Sequence, residues 1–396
     1  MTVTVPPAVD AGGTGVEAAL SPATLDHPLV RHCPHLYGSP RWLRVEAQAH
    51  PGDAFYTWVR GADMTAFAPA YGFGAADNPW PFARPDLFAA DVTGTGTGHE
   101  ALLPGFTVGG RRPGHSRFHT GGPAWQRAEA LTLLLGTAAE HAAGRGASCL
   151  AALYCSPQDG DLAKAFRAHG GVRLPSHGTN VLGLPGDGRP DWLASLPRKQ
   201  RAKEKADLRR LEEAGVRFEV SPLREPDLDR IVPLELGLYS KYGHDYARDE
   251  AVALHRAYLD HLGHDALLVR ARRDGADIGF VSLVRHGSRA WIRQAGFHPE
   301  ACEGLPVYFG AALHEPIAWA YRNGVRCLDL SISSDAVKRR RGARTLARDA
   351  WFIPLTDAAR RHLHRLAEGV GETASTVPAV PAGAVPTVPA TEKASS

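Results

Sequence analysis

The residues best suited to chemistry in this chain fall in one late stretch, SSDAVKRRRGAR at positions 333–344. Lys338, Arg339, Arg340, Arg341 and Arg344 stand there against a single acid, Asp335. A loop and helix start carrying that charge would hold a phosphate-bearing ligand, through guanidinium forks and the free N–H groups of a first turn. The same run would also serve as a solvated basic turn. Just before it, Asp329 and the hydroxyls of Ser331, Ser333 and Ser334 fall at the end of the apolar run VRCLDLSI, 325–332. Ligand sites of α/β sheets form outside the carboxyl ends of strands. Asp329 is equally placed to cap the following turn.

A second basic run, SLPRKQRAKEKADLRRLEEAG at 195–215, is rich in helix formers and predicts one helix over 192–213. Pro197 would sit in its first turn and Gly215 at its C-cap. Seven basic residues lie between Arg198 and Arg210, against Glu204 and Asp207. Lys199 and Lys203 share one face, as do Arg201 and Lys205. Leu208 and Leu211 point elsewhere and would seat the helix on a core. Such a run reads either as a solvated helix face or as a surface for anions.

Bulk composition narrows the field. With 396 residues, 44% hydrophobic and 22% charged, the chain can build two cores of ordinary size. A net charge of +3 excludes a uniformly basic protein, so anion binding must come from local patches. The five cysteines are scattered, odd in number and form no C-x-x-C, which suits a reducing compartment. The nineteen histidines show no metal-binding spacing, and no metal is expected. There is no signal-peptide pattern and no long apolar stretch, so a cytoplasmic protein without a membrane span is expected.

The elements that must position these residues follow an α/β plan. Positions 1–25 read as a flexible N-terminal arm. A hairpin is predicted over 54–73, a proline-rich surface connection over 78–86, a flexible glycine run over 94–100 and a strand near 102–109. A basic, glycine-rich loop at 109–122 carries Arg111, Arg112, His115, Arg117 and His119. It suits an anionic ligand and equally an ordinary surface excursion. Helix 125–144, strand 148–155, helix 161–171 and strand 178–184 complete a first unit. The second unit begins with strand 218–223 and helices 228–243 and 249–262. A three-strand meander at 264–297 turns at Asp274-Gly275 and His286-Gly287. It is followed by helix 304–324, strand 325–332, a short basic helix or turn at 333–341, strand 347–355 and helix 360–367. After residue 369 the Pro/Val/Ala-rich sequence predicts a disordered tail. The expected domains are the arm at 1–25, a first domain at 26–190, a basic connecting helix at 191–215, a second domain at 216–367 and the tail at 368–396.

No nucleophile elbow, phosphate loop or dinucleotide fingerprint appears. The order hairpin, helix, VRCLDLS, K-x-x-x-G does, together with the basic helix carrying Leu196, Lys199 and Arg201, and later Lys338 with Gly342. In these features, over about residues 40–355, the chain resembles the FemAB-like acyltransferases of the GNAT superfamily. The resemblance implies tandem GNAT-like domains, α/β in class with mixed sheets and helices packed on both sides. It also implies transfer of an acyl or aminoacyl group to an amine, in cell-wall or natural-product biosynthesis. The donor would be aminoacyl-tRNA, slightly preferred, or acyl-CoA, as substrate rather than permanently bound cofactor. The partners would be an amine-bearing small molecule or cell-wall precursor, and a tRNA acceptor stem. An acetyl-CoA-dependent N-acetyltransferase and a non-catalytic anion or nucleic-acid binder are the alternatives.

The sequence departs from the cell-wall enzymes in showing no inserted coiled-coil arm. Arg339, Gly342 and Arg344 only loosely echo a pyrophosphate loop. On this resemblance Lys338 or a backbone N–H would stabilise the oxyanion. Asp329, then His314, would take the amine proton, and Tyr308 would serve the leaving group, with His264 and Glu303 as weaker candidates. Lys199, Arg201, Lys203, Arg339, Arg341, Gly342 and Arg344 would hold the donor's phosphates. Loops 94–122 would shape the acceptor pocket.

Overall fold

The computed structural model describes residues 13–75, 77, 82–94 and 97–373. Residues 1–12 of the expected arm, 78–81 of the proline-rich connection and 374–396 of the expected tail lie outside them. The rest of that arm is not loose: it carries strand β1 (Thr14–Glu17) and helix α1 (Pro22–Asp26). Helices α2 (Pro28–Arg31) and α3 (Pro40–Ala49) follow. Helices α1 and α3 start alike. A serine hydroxyl, Ser21 or Ser39, accepts a first-turn N–H, and a proline fills the opening turn. The sequence reading missed α3 although that cap was legible.

The expected hairpin is β2 (Ala54–Arg60) and β3 (Thr65–Phe73). After it come α4 (Pro85–Thr93), β4 (Gly105–Val108), β5 (His119–Gly121), α5 (Arg127–Gly144), β6 (Cys149–Cys155), α6 (Gly160–Ala168), β7 (Val172–Pro175) and β8 (Thr179–Gly183). The run CLAALYC of β6 has no polar alternation because every residue is buried.

The single helix expected over 192–213 is two. Helix α7 (Arg189–Ser195) stops, Leu196 turns extended, and α8 (Arg198–Glu213) restarts after Pro197. Proline disfavours helical geometry in the residue before it. Strand β9 (Arg217–Pro222), α9 (Leu228–Lys241) and α10 (Arg248–Leu262) lead into the meander β10 (Ala266–Arg273), β11 (Ala276–His286) and β12 (Arg289–Phe297). Its first turn has positive φ at both Asp274 and Gly275, as a tight hairpin requires.

The helix expected over 304–324 is interrupted. It runs as α11 (Val307–Phe309), a π turn (Gly310–His314) and α12 (Glu315–Arg322). Pro316, at the start of α12, has no N–H to return to the preceding turn, which favours a local change of register. Strand β13 covers only Cys327–Asp329, because Ser331, Ser333 and Ser334 all take left-handed backbone, with φ of 61°, 64° and 53°. Helix α13 (Asp335–Arg340), β14 (Arg344–Leu346), β15 (Asp349–Pro354) and α14 (Asp357–Thr373) end the described chain.

The strands form two mixed sheets, ordered β1-β2-β3-β4-β6-β15-β7, with β5 beside β3, and β14-β8-β13-β12-β11-β10-β9. Helices α5 and α6 cover one face of the first sheet, α4 and α14 the other. The second lies between α7, α11 and α12 on one side and α3, α9 and α10 on the other. This is the mixed α/β architecture the sequence led us to expect. Three elements cross the middle of the chain: β8 joins the second sheet, β15 joins the first, and α3 packs with α9 and α10. The two layers are therefore interlocked.

Candidate active site

Strands β12 and β13 run parallel but pair only over Arg289–Trp291 against Cys327–Asp329. Beyond Trp291, β12 continues to Phe297 beside β11, while the chain after Asp329 enters the left-handed serines. A cavity of about 710 Å³ opens in this fork. Arg293 and Phe297 form one wall, Tyr308 and Phe309 another, and Ser333, Ser334, Lys338 and Arg341 a third. Tyr242 and His244, from the turn after α9, close it on a further side. Both the place, outside the carboxyl ends of a parallel pair, and the size are those of a small-molecule site.

Lys338 reaches back along its own loop. Its Nζ donates to the Leu330 and Ile332 carbonyls at 2.6 and 2.7 Å. Asn180 of β8 holds the same loop, donating to the Asp335 carboxylate at 2.8 Å and to the Ser331 carbonyl at 3.2 Å. Burial lowers the Lys338 ammonium to a pKa of about 8, against the opposing pull of Asp335 and Asp329. A cation held by neutral carbonyls keeps its charge available to the cavity. Tyr308, 45% exposed, stands at the rim with its ring against Phe297 and Phe309.

Arg341 is differently placed. It lines the same cavity, with its guanidinium 3.6 Å from the centre of the Phe309 ring. Its Nε lies 3.3 Å from Glu204 and an Nη 3.6 Å from Asp207, both on α8. His314 Nε2 is 3.1 Å from the other Glu204 oxygen. Burial would raise the Glu204 carboxyl, but His314, Arg341 and Gln200 outweigh it and hold it below the usual range. So α8 seats itself by Glu204, Asp207 and Leu211, with Leu208 only partly buried. Expected as a proton acceptor, His314 is packed edge-on to Trp192 and does not line the cavity.

Asp329 is also sealed. His115 Nε2 lies 2.7 Å from one carboxylate oxygen, and the Ser331 N–H donates to the other at 2.8 Å. Burial would raise this carboxyl; His115, the Ser331 N–H and Arg293 prevail and keep it low. Burial lowers the His115 imidazole despite Asp329, and an Arg348 N–H lies 3.4 Å from its Nδ1. A neutral ring donating from Nε2 fits both neighbours. Asp329 thus fixes the start of the serine loop, the capping alternative read from sequence.

The outward face of α8 is as the sequence suggested: Lys199 and Lys203 are exposed and Arg201 partly so. None of the three lines the cavity. Arg339 and Arg344 are exposed as well, and Gly342 makes a turn with φ of 90° beside Leu196. That stretch is the end of a six-residue helix and a turn into β14 rather than a loop opening a helix. His264 and Glu303 lie on the surface.

Two residues escaped the sequence reading. Arg293 donates to the Tyr37 hydroxyl at 2.7 Å and stacks over Tyr37 and Trp42 while facing the cavity. Its signal was present, a lone cation inside the strand AWIRQAGF. His244 had none, since a histidine in a turn is unremarkable until the turn is seen to close a cavity. Among the described residues no group of histidine, cysteine, aspartate or glutamate side chains is placed to hold a metal ion. No described helix is long and apolar enough to cross a membrane.

Residues 198–339 match a family model described as an acetyltransferase (GNAT) domain. No curated protein matches the chain. Among solved structures, the crystal structure of FemX is similar at 13% identity, covering 85% of this chain and 96% of that one, with a TM-score of 0.55. A tandem GNAT protein from the clavulanic acid biosynthesis pathway aligns at 15% identity over 87% and 99% of the two chains, with a TM-score of 0.48. The C-terminal domain of a putative lysylphosphatidylglycerol synthetase from Agrobacterium fabrum aligns at 12% identity over 76% and 84%, with a TM-score of 0.45. The chain, with its two helix-flanked sheets, thus shares its fold with FemX, and its residues 198–339, which include the forked strands, match a GNAT acetyltransferase domain.

Proposed function

We propose that this chain is an N-acyltransferase of FemAB-like type, moving an aminoacyl group from aminoacyl-tRNA to an amine acceptor. The observation that carries the reading is the cavity in the β12/β13 fork, lined by His244, Tyr308, apolar side chains and Lys338, whose ammonium is held by backbone carbonyls rather than by a paired acid. An amine and an activated ester held together there need little further help, because proximity and orientation supply much of the rate. The amine forms a C–N bond to the carbonyl carbon, and the C–O bond to the carrier breaks. Lys338 stabilises the oxyanion of the tetrahedral intermediate. His244, whose ring forms no hydrogen bond or ion pair among the described residues, accepts the amine proton, the role that Asp329 and His314 are too enclosed to take. Tyr308 donates to the leaving oxygen at the rim.

The preference for a tRNA carrier rests on where the cations are. Lys199, Lys203, Arg339 and Arg344 are exposed and outside the cavity. They suit a polyanion larger than the cavity, with its acyl end inserted. A thioester on coenzyme A would need the same cavity but fewer outside contacts, and it is the competing donor. Mass spectrometry of acyl transfer from aminoacyl-tRNA and acyl-CoA pools to added amines separates the two. The reading fails if neither donor loses its acyl group, or if Lys338→Met turns over as fast as the parent.

A further inference from the structure

A second cavity, of about 440 Å³, lies between the end of α3, strands β2 to β4 and the start of α10. The turn between α9 and α10 serves both cavities: Tyr242 and His244 line the first, Tyr246 the second. At the second, two neighbouring arginines compete for one acid. Arg112 fills the Glu46 carboxylate with two N–H donors, one at 3.2 Å, and also contacts His50. Arg111 is left 3.9 Å from the same carboxylate, its only ion pair among the described residues. Its side chain is 15% exposed, its guanidinium lies over the Phe73 and Tyr71 rings at 5.0 and 5.7 Å, and it lines the cavity. A largely buried guanidinium without a well-made acceptor is costly unless something completes it. Its planar fork on aromatic faces is the geometry that takes a carboxylate in bidentate fashion.

The other charges limit what that something is. The lining holds three carboxylates, Asp53, Asp77 and Glu250, against two guanidiniums, Arg111 and Arg145. Asp53 is taken by Arg145, while Asp77 and Glu250 form no ion pair among the described residues. Both still act electrostatically on Arg111. Burial, with Arg111 and Arg112, keeps His50 uncharged. A doubly charged phosphate would enter a lining already short of positive charge. A ligand with one carboxylate and one ammonium adds no net charge, and it offers Arg111 an acceptor and the unpaired Asp77 and Glu250 a cation.

We propose that this cavity binds a zwitterionic ligand of amino-acid type, a free amino acid or short peptide, with its carboxylate on Arg111 and its ammonium toward Asp77 and Glu250. The inference needs only the cavity and its charges, and stands apart from acyl transfer.

Isothermal titration of the full chain with alanyl-alanine tests it, beside alanyl-alanine amide, N-acetyl-alanyl-alanine and inorganic phosphate. The dipeptide binds, and blocking either end weakens binding about 10-fold or more, the cost of leaving one buried charge unmet. In Arg111→Met the dipeptide and its amide bind alike; in Glu250→Gln the penalty for N-acetylation shrinks. Glu250 is partly exposed, so that variant keeps the test open if Arg111→Met does not fold. No binding up to about 10 mM, equal binding of dipeptide and amide to the parent protein, or tighter binding of phosphate would each overturn the proposal. Loss of transfer with dipeptide binding intact counts against the transferase reading alone.

Discussion

Lys338 and Arg341 stand one turn apart, both line the same cavity, and they are held in opposite ways. Lys338 is tied to two backbone carbonyls, so its charge is solvated but not cancelled. Arg341 lies between Glu204 and Asp207 of α8, so its charge is spent on attaching that helix to the cavity wall. The sequence presents them as members of one basic run. The difference lies in their partners: a cation on neutral dipoles remains available to a developing oxyanion, whereas one among carboxylates is a structural tie.

The comparison breaks most clearly on the structural side. Glu204→Ala leaves a buried guanidinium short of its nearest acid and is expected to cost about 3–5 kcal/mol of stability by denaturant unfolding. A loss within experimental error would make Arg341 as free as Lys338. On the catalytic side, Lys338→Met is expected to lower kcat by about 10²–10³-fold with the fold intact by circular dichroism. Should stability collapse and the remaining folded protein turn over normally, the two cations would be alike in the other direction.

A pH profile sharpens the distinction further. With its ammonium at about 8, Lys338 loses charge, and transfer falls, as pH rises through that value. Lys338→Arg should remove that limb, since arginine stays charged. Stability moves the other way. The folded pKa lies below the ordinary lysine value of 10.5, so between about 8 and 10.5 the unfolded chain binds more protons and unfolding free energy rises with pH. Activity and stability limbs of the same sign would remove Lys338 as their origin.

The smallest effect concerns the outward cations. Lys199→Ala with Lys203→Ala should raise KM for aminoacyl-tRNA several-fold, leave kcat unchanged, and reduce the salt dependence of binding by roughly one unit of slope per lost phosphate contact. An unchanged salt slope would turn attention to acyl-CoA.

Much of this was legible in order along the chain, for local reasons. The hairpin at 54–73, the meander at 264–297 and the apolar strand 149–155 follow from turn residues and burial patterns set by neighbours in sequence. Local chemistry also broke the basic helix at Pro197, a signal that was present and underweighted. What could not be read was which sheet a strand joins. Strands β8 and β15 carry ordinary buried-strand patterns that are silent about their neighbours, and each sits in the sheet away from its half of the chain. The same limit governed the site. Asp329 was placed correctly at a strand end, but its partner His115 is 214 residues earlier, and that contact encloses the carboxylate in a way no local pattern signals.

By itself, then, the sequence determined the α/β class, the hairpin, the meander, the longer helices of each half and the presence of two basic clusters, because periodicity, capping and charge are properties of neighbouring residues. Only the tertiary structure decided which cations are spent and which remain available. Partner geometry and burial depend on residues far apart in the chain: Glu204 and Asp207 against Arg341, two carbonyls beneath Lys338, and Glu46 shared unequally between Arg111 and Arg112.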